Sequence, residues 1–272
     1  MKEMNTIIYS NLIKQYPGKR TIITGAGSGL GLELTKSLLN DGWAVCALDI
    51  SVTALENISG SNLFIHQLDV TDRKALKDTV EDFCTVHKGI DILFNNAGVG
   101  EGTLFKDYPL ENWDWIIDIN LKAVIDGTHF ILPYMLKENA GIIVNIASMA
   151  GIANLPRMSP YNVTKAAVIS LSETLNHELS KTNVHVICVA PTFFQSSIMQ
   201  HSKGDPKVLA SAKEKVAGAS LTSKEAAHLL LSNLHKGKEL IRFPFSAHIF
   251  FYFRRLFPFV YKKSVRRFLF KQ

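Results

Sequence analysis

A tyrosine and a lysine stand four residues apart at Tyr161 and Lys165, and Ser148 precedes the tyrosine by 13 residues. Positions i and i+4 of a helix share one face, so the Lys165 ammonium can stabilise a phenolate and lower the tyrosine pKa from about 10. Such a tyrosine can accept the proton of an alcohol or donate one to a carbonyl, while Ser148 hydrogen-bonds the same oxygen. These residues therefore predict acid–base chemistry at a carbon–oxygen bond, with Ser148 and Tyr161 binding the substrate.

Each of these side chains also has a purely structural explanation. Tyr161 can be an aromatic residue at a helix start, Lys165 a solvated charge and Ser148 a turn residue. Asn120 lies in a predicted helix, where it is either a catalytic amide or a polar group that faces a neighbouring element. The combination of the four, rather than any single residue, carries the catalytic hypothesis.

A glycine-rich run, TGAGSGLG, begins at Thr24 between the first predicted strand and a predicted helix. Glycines permit a tight turn and a close backbone approach, and a helix N-terminus offers free N–H groups to a pyrophosphate. A glycine cluster alone is a weak signal, because a simple strand-to-helix turn has the same composition. The residues of this run predicted to bind a dinucleotide are Gly25, Ser28, Gly29, Leu30 and Gly31.

Asp49 strengthens the cofactor hypothesis. It ends the second predicted strand 18 residues after Gly31, close to the ~20 expected for a carboxylate that binds a ribose 2′-hydroxyl. A carboxylate at this point repels a 2′-phosphate, and neither Ile50 nor Ser51 supplies a compensating base. The sequence therefore favours NAD(H) over NADP(H).

Two further loops follow the ends of predicted strands, where ligands bind in open α/β sheets. Asp69 and Val70 close the third strand, although Asp69 alone is explained nearly as well as a helix cap or a turn residue. The run NNAG at 95–98 closes the fourth strand. The cofactor contacts predicted at these two ends are Asp69, Val70, Asn96, Ala97 and Gly98.

Short β-branched runs alternate with longer amphipathic stretches along most of the chain. Predicted strands cover 20–24, 43–49, 63–69, 91–96, 141–148, 184–190 and 239–243, and predicted helices include 30–40, 73–87, about 110–136 and 161–180. Near-continuous apolar strands indicate burial on both faces, and repeated strand–helix–strand units need right-handed crossovers. The expected fold is a single-domain, doubly wound α/β Rossmann fold with a parallel seven-stranded sheet and helices on both faces.

The length of 272 residues suits one α/β domain with a full core. We expect this domain at 19–243, after an N-terminal extension at 1–18 and before a basic aromatic tail at 244–272. The interval 192–222 is rich in Ser, Lys and Gly and has no predicted regular structure. A loop this long inside a compact domain is usually functional, so we expect a substrate lid there.

The net charge of +6 is distributed unevenly along the chain. Residues 241–272 carry eight basic and no acidic side chains, which leaves 22 basic and 24 acidic residues in 1–240. A duplex-binding protein needs its basic face on the folded body, so no nucleic-acid partner is expected. The tail interleaves its cations with nine Phe and two Tyr residues, a mixture that suits either a membrane surface or packing over a pocket or subunit interface.

The cysteines, the apolar runs and the histidines indicate the cellular compartment of the protein and whether it binds a metal. Cys46, Cys84 and Cys188 are scattered, which indicates a reduced compartment without a disulfide framework. The N-terminus lacks the apolar core of a signal peptide, and the longest apolar run, 243–253, is shorter than the ~20 residues that span a bilayer. The nine histidines show no metal-ligand spacing. We therefore expect a cytoplasmic protein without a metal, in at most peripheral contact with a membrane.

Over about residues 19–243 the chain resembles the short-chain dehydrogenase/reductase family. The resemblance rests on TGAGSGLG, Asp49, NNAG, Asn120, Ser148 and YNVTK at 161–165. It implies an NAD(P)-dependent oxidoreductase in which Lys165 and Tyr161 also contact the cofactor, Lys165 at the nicotinamide ribose, and Asn120 holds a water that relays protons outward. It further implies cofactor contacts at Pro191 and Thr192, and a homodimer or homotetramer packed through the helices at 110–136 and 161–180.

One departure from the family lies after Pro191. Many members have glycine where this chain has Thr192, whose Cβ restricts the backbone, so this loop is expected to be held differently. The leading hypothesis is an NAD(H)-dependent enzyme that interconverts a secondary alcohol and a ketone on a hydrophobic steroid-, retinoid- or lipid-like substrate. The alternative is a nucleotide-binding, membrane-associated scaffold or sensor with the same fold.

Overall fold

The structure, a computed structural model, describes residues 15–269. Its strands in chain order are β1 Arg20–Thr24, β2 Ala44–Asp49, β3 Leu63–Gln67, β4 Ile92–Asn95, β5 Glu101–Gly102, β6 Gly141–Ile146, β7 Val184–Val189, β8 Lys203–Gly204 and β9 Leu240–Ile241. Seven of them form a parallel sheet in the order β3-β2-β1-β4-β6-β7-β9, and the short β5 and β8 pair separately. The predicted doubly wound α/β fold is confirmed.

Helices cover both faces of this sheet. In chain order they are α1 Gly29–Asn40, α2 Thr53–Glu56, α3 Arg73–Val86, α4 Leu110–Ile117, α5 Ala123–Glu138, α6 Ala150–Ala153, α7 Ser159–Glu178, α8 Pro206–Ala217, α9 Ser223–Leu234, α10 Phe245–Leu256 and α11 Pro258–Leu269. Ile22 and Ile23, adjacent in β1, belong to opposite core clusters, one with α3 and α5 and the other with α1 and α9. Burial on both faces explains why the strands are apolar at nearly every position.

The helix predicted at 110–136 is interrupted. A π-helical segment, Asp118–Lys122, separates α4 from α5 and contains Asn120. π-helical turns inside α-helices occur frequently at functional sites, because the extra residue redirects a side chain.

The prediction of an irregular loop over 192–222 is wrong for its second half. Helix α8 begins after Asp205, whose carboxylate accepts hydrogen bonds from the amides of Lys207 and Val208. Pro206 is in the first turn, where its missing N–H is no loss. A capped and proline-started helix therefore forms in a segment whose Ser, Lys and Gly content suggested a loop.

Within 244–269, the described part of the tail, the chain forms two helices, α10 and α11, where the sequence analysis assigned no secondary structure. Ala247 in α10 and Tyr261 in α11 are buried against the domain. Among residues 15–269, no helix is long and apolar enough to cross a bilayer.

The N-terminal extension predicted at 1–18 is part of the fold at its C-terminal end. Tyr16 is buried in the core cluster that contains α1 and α9. Residues 1–14 and 270–272, which belong to the predicted extension and tail, lie outside the described residues.

Candidate active site

A cavity of about 1330 Å³ opens at the carboxyl ends of the sheet strands. It runs from the glycine turn before α1 to Ser148 and Tyr161, and its outer wall comes from 192–222 and the two tail helices. The predicted site residues that line it are Gly25, Ser28, Gly29, Leu30, Asp49, Asp69, Val70, Asn96, Ala97, Gly98, Ser148, Tyr161, Lys165, Pro191 and Thr192. Gly31 and Asn120 are not among the lining residues.

The glycine turn is shaped by backbone contacts that side chains would prevent. Gly25 has φ +66°, a left-handed conformation, and a Cβ on it would lie 2.8 Å from the Ala97 Cα. A Cβ on Gly31 would collide with the carbonyl oxygen of Gly25. Gly31 therefore packs α1 against the turn, while Gly25 and its neighbours keep the backbone open to the cavity. This is a cradle into which the pyrophosphate of a dinucleotide fits.

Asp49 lies at the end of β2 and faces the same turn. Its Oδ2 accepts a hydrogen bond of 2.7 Å from the amide of Gly27, and its Oδ1 accepts one of 3.0 Å from the amide of Ser51. The adjacent Ile50 is exposed and offers no cation. Asp49 thus orders the turn and also places a negative charge at the edge of the cavity.

Thr24 joins the first and fourth strand ends, a role that sequence reasoning missed. Its Oγ1 accepts hydrogen bonds of 3.0 Å from the amides of Asn96 and Ala97. The Asn96 side chain donates back to the carbonyl oxygens of Thr24 and Gly25 at 3.0 and 2.9 Å. These two hydrogen bonds from its side-chain amide stabilise the glycine turn.

Asp69 does not close β3, which ends two residues earlier at Gln67. Its Oδ1 accepts hydrogen bonds from both the amide and the hydroxyl of Thr71, at 2.9 and 2.8 Å. The cap of α3 is instead Asp72, which accepts from the amide of Ala75. Asp69 is therefore a turn residue that also lines the cavity.

Tyr161 is in the first turn of α7 and is only 7% exposed, packed with Val99, Ile116 and Ala150. Burial raises the pKa of Tyr161 to about 12, and a hydrogen bond with the Ser148 side chain opposes the rise. Ser148 follows β6, and its Oγ accepts a hydrogen bond of 3.1 Å from the amide of Ala150. The structure therefore brings the hydroxyl groups of Ser148 and Tyr161 together, as the spacing predicts.

Lys165 lies one turn further along α7 and is 2% exposed. Its Nζ lies 5.7 Å from the centre of the Tyr161 ring and donates a hydrogen bond of 2.8 Å to the carbonyl oxygen of Ile146. Burial lowers the pKa of Lys165 to about 8. In the chain without a cofactor the Tyr161 pKa is raised rather than lowered, because burial disfavours the charged form; the lowering expected from the Lys165 ammonium stays a prediction.

Asn120 is fully buried in the π-helical segment. Its Oδ1 accepts a hydrogen bond of 2.8 Å from the amide of Val99, and its Nδ2 donates one of 2.9 Å to the Val99 carbonyl oxygen. A Cβ on Gly98 would lie 3.3 Å from Oδ1 of Asn120 and 3.4 Å from Nζ of Lys165. Asn120 thus holds the loop after β4 beside the buried lysine.

The loop after β7 accommodates Thr192 without backbone strain. Thr192 does not have a positive φ, so glycine is not required there. Its amide donates a hydrogen bond of 3.0 Å to the carbonyl oxygen of Phe243, and the Pro191 carbonyl accepts one of 2.9 Å from the amide of Met149. The loop is therefore held between the start of the tail and the segment that contains Ser148.

Glu101 is a second residue that the sequence analysis missed. It is 3% exposed, and within the described part of the chain neither carboxylate oxygen has a hydrogen-bond partner. Burial raises the pKa of Glu101 to about 7, a rise that the nearby backbone amides of Tyr161 and Thr103 oppose. An acid three residues after NNAG, in a segment that follows a strand end, was the available signal.

The part of the cavity beyond Ser148 and Tyr161 is largely apolar. Side chains from loops, α4, α8 and α10 meet there. Those that contribute apolar surface include Trp115, Leu155, Met158, Phe193, Phe194, Ile198, Met199, Val208, Phe250 and Phe253. This surface suits an apolar small molecule.

Comparison with known proteins gives matches over most of the chain. A family model described as short chain dehydrogenase matches residues 19–207. A 3-oxoacyl-acyl-carrier-protein reductase of Thermotoga maritima is 37% identical over 190 residues, which cover 67% of this chain and 77% of the relative.

Two solved structures are similar to this chain over more than four fifths of its length. A short-chain dehydrogenase/reductase from Burkholderia phymatum in complex with NAD has a TM-score of 0.80 and 26% identity, and the match covers 87% of this chain and 92% of that one. A serine dehydrogenase complexed with NADP⁺ has a TM-score of 0.75 and 28% identity, over 84% and 95% of the two chains. The two neighbours differ in the cofactor that they contain.

Proposed function

Since this chain belongs to the short-chain dehydrogenase family, we propose that it is an NAD(H)-dependent oxidoreductase that interconverts a secondary alcohol and a ketone. The observation that carries this proposal is one continuous cavity. It has the glycine turn and Asp49 at one end and Ser148, Tyr161 and Lys165 at the other. A dinucleotide and a substrate can therefore meet at the catalytic side chains.

Tyr161 is the general acid and base of the proposed reaction. Its Oη holds the proton that leaves a substrate hydroxyl or enters a carbonyl, and Ser148 donates a hydrogen bond to the same oxygen. A bound nicotinamide cofactor supplies or accepts the hydride. Lys165, with a pKa of about 8, keeps its proton at neutral pH and can bind the nicotinamide ribose.

Asn120 is proposed as a positioning residue. Both atoms of its amide bond to the backbone of Val99, so its first effect is to hold the loop that carries Gly98 beside Lys165. The second lone pair of Oδ1 leaves capacity for the water relay that the family resemblance implies.

The residues proposed to hold the cofactor divide along the cavity. The glycine turn binds the pyrophosphate, Asp49 the adenine ribose, and Asp69 and Val70 the adenine. Asn96, Ala97, Gly98, Tyr161, Lys165, Pro191 and Thr192 are placed along the nicotinamide half. Preference for NAD(H) is supported by the Asp49 charge and by the exposed apolar Ile50 beside it, because no cation there would balance a 2′-phosphate.

The substrate is proposed to be hydrophobic and steroid-, retinoid- or lipid-like. Support comes from the apolar surface between Tyr161 and the tail, to which Phe193, Phe250 and Phe253 contribute. The interval 192–222 is proposed to act as the lid of this region, since loop residues before β8 and residues of α8 line the cavity.

Assembly and location are part of the same proposal. A homodimer or homotetramer packed through α4, α5 and α7 is supported by exposed apolar residues on the last two helices, such as Leu136 and Val163. A cytoplasmic location is supported by three cysteines that are free and buried.

The decisive test measures NAD(H) absorbance with a panel of hydroxysteroids, retinoids, long-chain alcohols and small polyols, and NAD binding by calorimetry. Turnover of an apolar alcohol or ketone is expected. The scaffold or sensor alternative is favoured instead by tight NAD binding without turnover of any member of the panel.

A further inference from the structure

Helix α10 has two apolar faces, and only one of them packs against the domain. Ala247, Phe250 and Phe251 point inward and pack with Met149 and Ala190. Other large apolar residues recur at i, i+4, i+7, i+8 and i+11 and are between 37% and 78% exposed: Phe245, Ile249, Tyr252, Phe253 and Leu256. This spacing places them on one outward side of the helix, with Phe253 at the edge, where it also lines the larger cavity.

The stripe continues into α11. Phe257 joins the two helices, and Phe259 and Val260 begin the second one, all three more than half exposed. We call the exposed set Phe245, Ile249, Tyr252, Phe253, Leu256, Phe257, Phe259 and Val260 the outer apolar patch. A contiguous exposed patch of this kind marks an interaction surface.

Basic side chains of the same two helices line a second cavity, of about 440 Å³. Arg254, Arg255, Lys262 and Arg266 line it, together with an apolar floor that includes Ile152 and Val265. Within residues 15–269, none of these four cations forms an ion pair. No acidic side chain is present anywhere in 241–272. We call these four residues the basic cluster.

We propose that α10 and α11 dock on an anionic lipid membrane, with the basic cluster on the lipid headgroups and the outer apolar patch at the acyl boundary. Aromatic and aliphatic side chains next to cations are what an interfacial helix requires, because each contributes to a different layer of the lipid surface. A second copy of the chain fits this surface of α10 and α11 less well than an anionic membrane does. A two-fold symmetric contact through this face would bring the same uncompensated cations of both copies together.

Docking would also place the mouth of the active-site cavity at the lipid surface. Tyr261 and Ala153 line both cavities, and Phe250 and Phe253 of α10 line the larger one. The Tyr261 hydroxyl donates a hydrogen bond of 2.6 Å to the Ala153 carbonyl oxygen, which ties α11 to the wall between them. If the proposed oxidoreductase function holds, on which this step rests, the substrate enters from the membrane.

The test is co-sedimentation of the full chain with phosphatidylcholine vesicles that contain or lack phosphatidylglycerol. Binding is expected only with phosphatidylglycerol. The triple variant Arg255→Gln, Lys262→Gln and Arg266→Gln is expected to weaken it on the order of 100-fold, since each cation near an anionic surface contributes roughly a factor of five. The triple variant Phe245→Ser, Ile249→Ser and Leu256→Ser should weaken it as well.

The matched control replaces three exposed lysines elsewhere, Lys213, Lys224 and Lys238, by Gln and should bind vesicles as the wild type does. Equal thermal midpoints show that a variant is folded. Binding that is unchanged in both triple variants, or absent in the wild type, overturns the proposal. So does a lipid-free dimer in sedimentation velocity that the Phe245, Ile249 and Leu256 substitutions dissociate, because a second copy would then occupy the face.

Separate variants test membrane docking and the proposed reaction, so failure of one proposal can be distinguished from failure of the other. Tyr161→Phe should sediment with phosphatidylglycerol vesicles as the wild type does, although its turnover is strongly reduced. If the substrate enters from the membrane, the apparent KM for a vesicle-borne alcohol should be higher in the triple variant of Arg255, Lys262 and Arg266 than in the wild type. The apparent KM for a water-soluble alcohol should be unchanged. Equal KM changes for both alcohols contradict entry from the membrane.

Discussion

Asn120 and Val99 exchange two hydrogen bonds, in which the side-chain amide of Asn120 satisfies both backbone groups of Val99. Both residues are buried, and they are 21 positions apart in the chain. The pair connects the π-helical segment to the loop after β4, and so to Gly98 and Lys165. Substitution of the asparagine should therefore affect stability and catalysis together.

Asn120→Ala leaves the amide and carbonyl of Val99 without partners in a buried place. The free energy of unfolding should fall by about 2 to 6 kcal/mol, because each of the two unsatisfied groups costs about 1 to 3 kcal/mol. Urea unfolding followed by circular dichroism measures the loss. Asn57→Ala, which removes an exposed local hydrogen bond, is the control and should change stability little. Equal effects of the two substitutions would contradict a special role for Asn120.

Tyr161→Phe removes the hydroxyl group that moves the proton and retains the buried ring. The kcat is expected to fall by roughly 10² to 10⁴, the usual contribution of general acid–base catalysis, while NAD(H) binding persists. Stopped-flow turnover and calorimetric titration measure the two quantities. Tyr134→Phe, on α5, should leave both unchanged. Comparable turnover by Tyr161→Phe and the wild type would refute the mechanism.

Asp49→Ser tests the cofactor preference. The loss of a charged hydrogen-bond acceptor should weaken NAD binding roughly 10- to 100-fold. The variant also no longer repels the 2′-phosphate of NADP, so the dissociation constants for NAD and NADP should become more similar. Dissociation constants for both cofactors decide the matter, with the exposed Asp107→Ser as the control. A wild-type protein that binds NADP more tightly than NAD would remove the proposed role of Asp49.

Glu101 should make stability depend on pH, because burial raises its pKa from 4.5 to about 7. The folded chain then binds this proton more tightly than the unfolded chain does, so the contribution is complete below about pH 4.5 and is lost as pH rises to about 7. In the wild type, this decrease in the free energy of unfolding amounts to at most about 3 kcal/mol. Glu101→Gln should abolish the decrease and should therefore be more stable than the wild type at pH 8. Chemical unfolding across this pH range, with Glu111→Gln as the control, measures it. The same pH slope in Glu101→Gln and the wild type would contradict the prediction.

Tyr261→Phe should loosen the tail without disturbing the sheet. It leaves the Ala153 carbonyl without its partner, at a cost of about 1 to 3 kcal/mol. Limited proteolysis should cut α10 and α11 faster than in the wild type, while the exposed Tyr252→Phe should not change the rate. Equal cleavage rates for Tyr261→Phe and the wild type would show that the hydrogen bond does not hold the tail.

The sequence by itself determined the features that depend on neighbouring residues. Apolar runs with a strand–helix alternation specified the seven-stranded parallel sheet, because burial on both faces leaves a local pattern. The spacing of Tyr161 and Lys165 specified a shared helix face, and the glycine turn before α1 specified its own backbone geometry. In each case the signal is local, because residues that are near each other in the chain form the strand, the helix face or the turn.

Only the tertiary structure decided the features that depend on residues far apart in the chain. Glu101 is buried near the Tyr161 amide at the start of α7, and no composition rule reports that burial. Tyr261 reaches Ala153 across 108 residues, so the position of the tail beside the cavity depends on how the whole domain packs. The pKa of Tyr161 likewise follows burial by the assembled fold rather than the nearby Lys165, since desolvation acts on both charges at once.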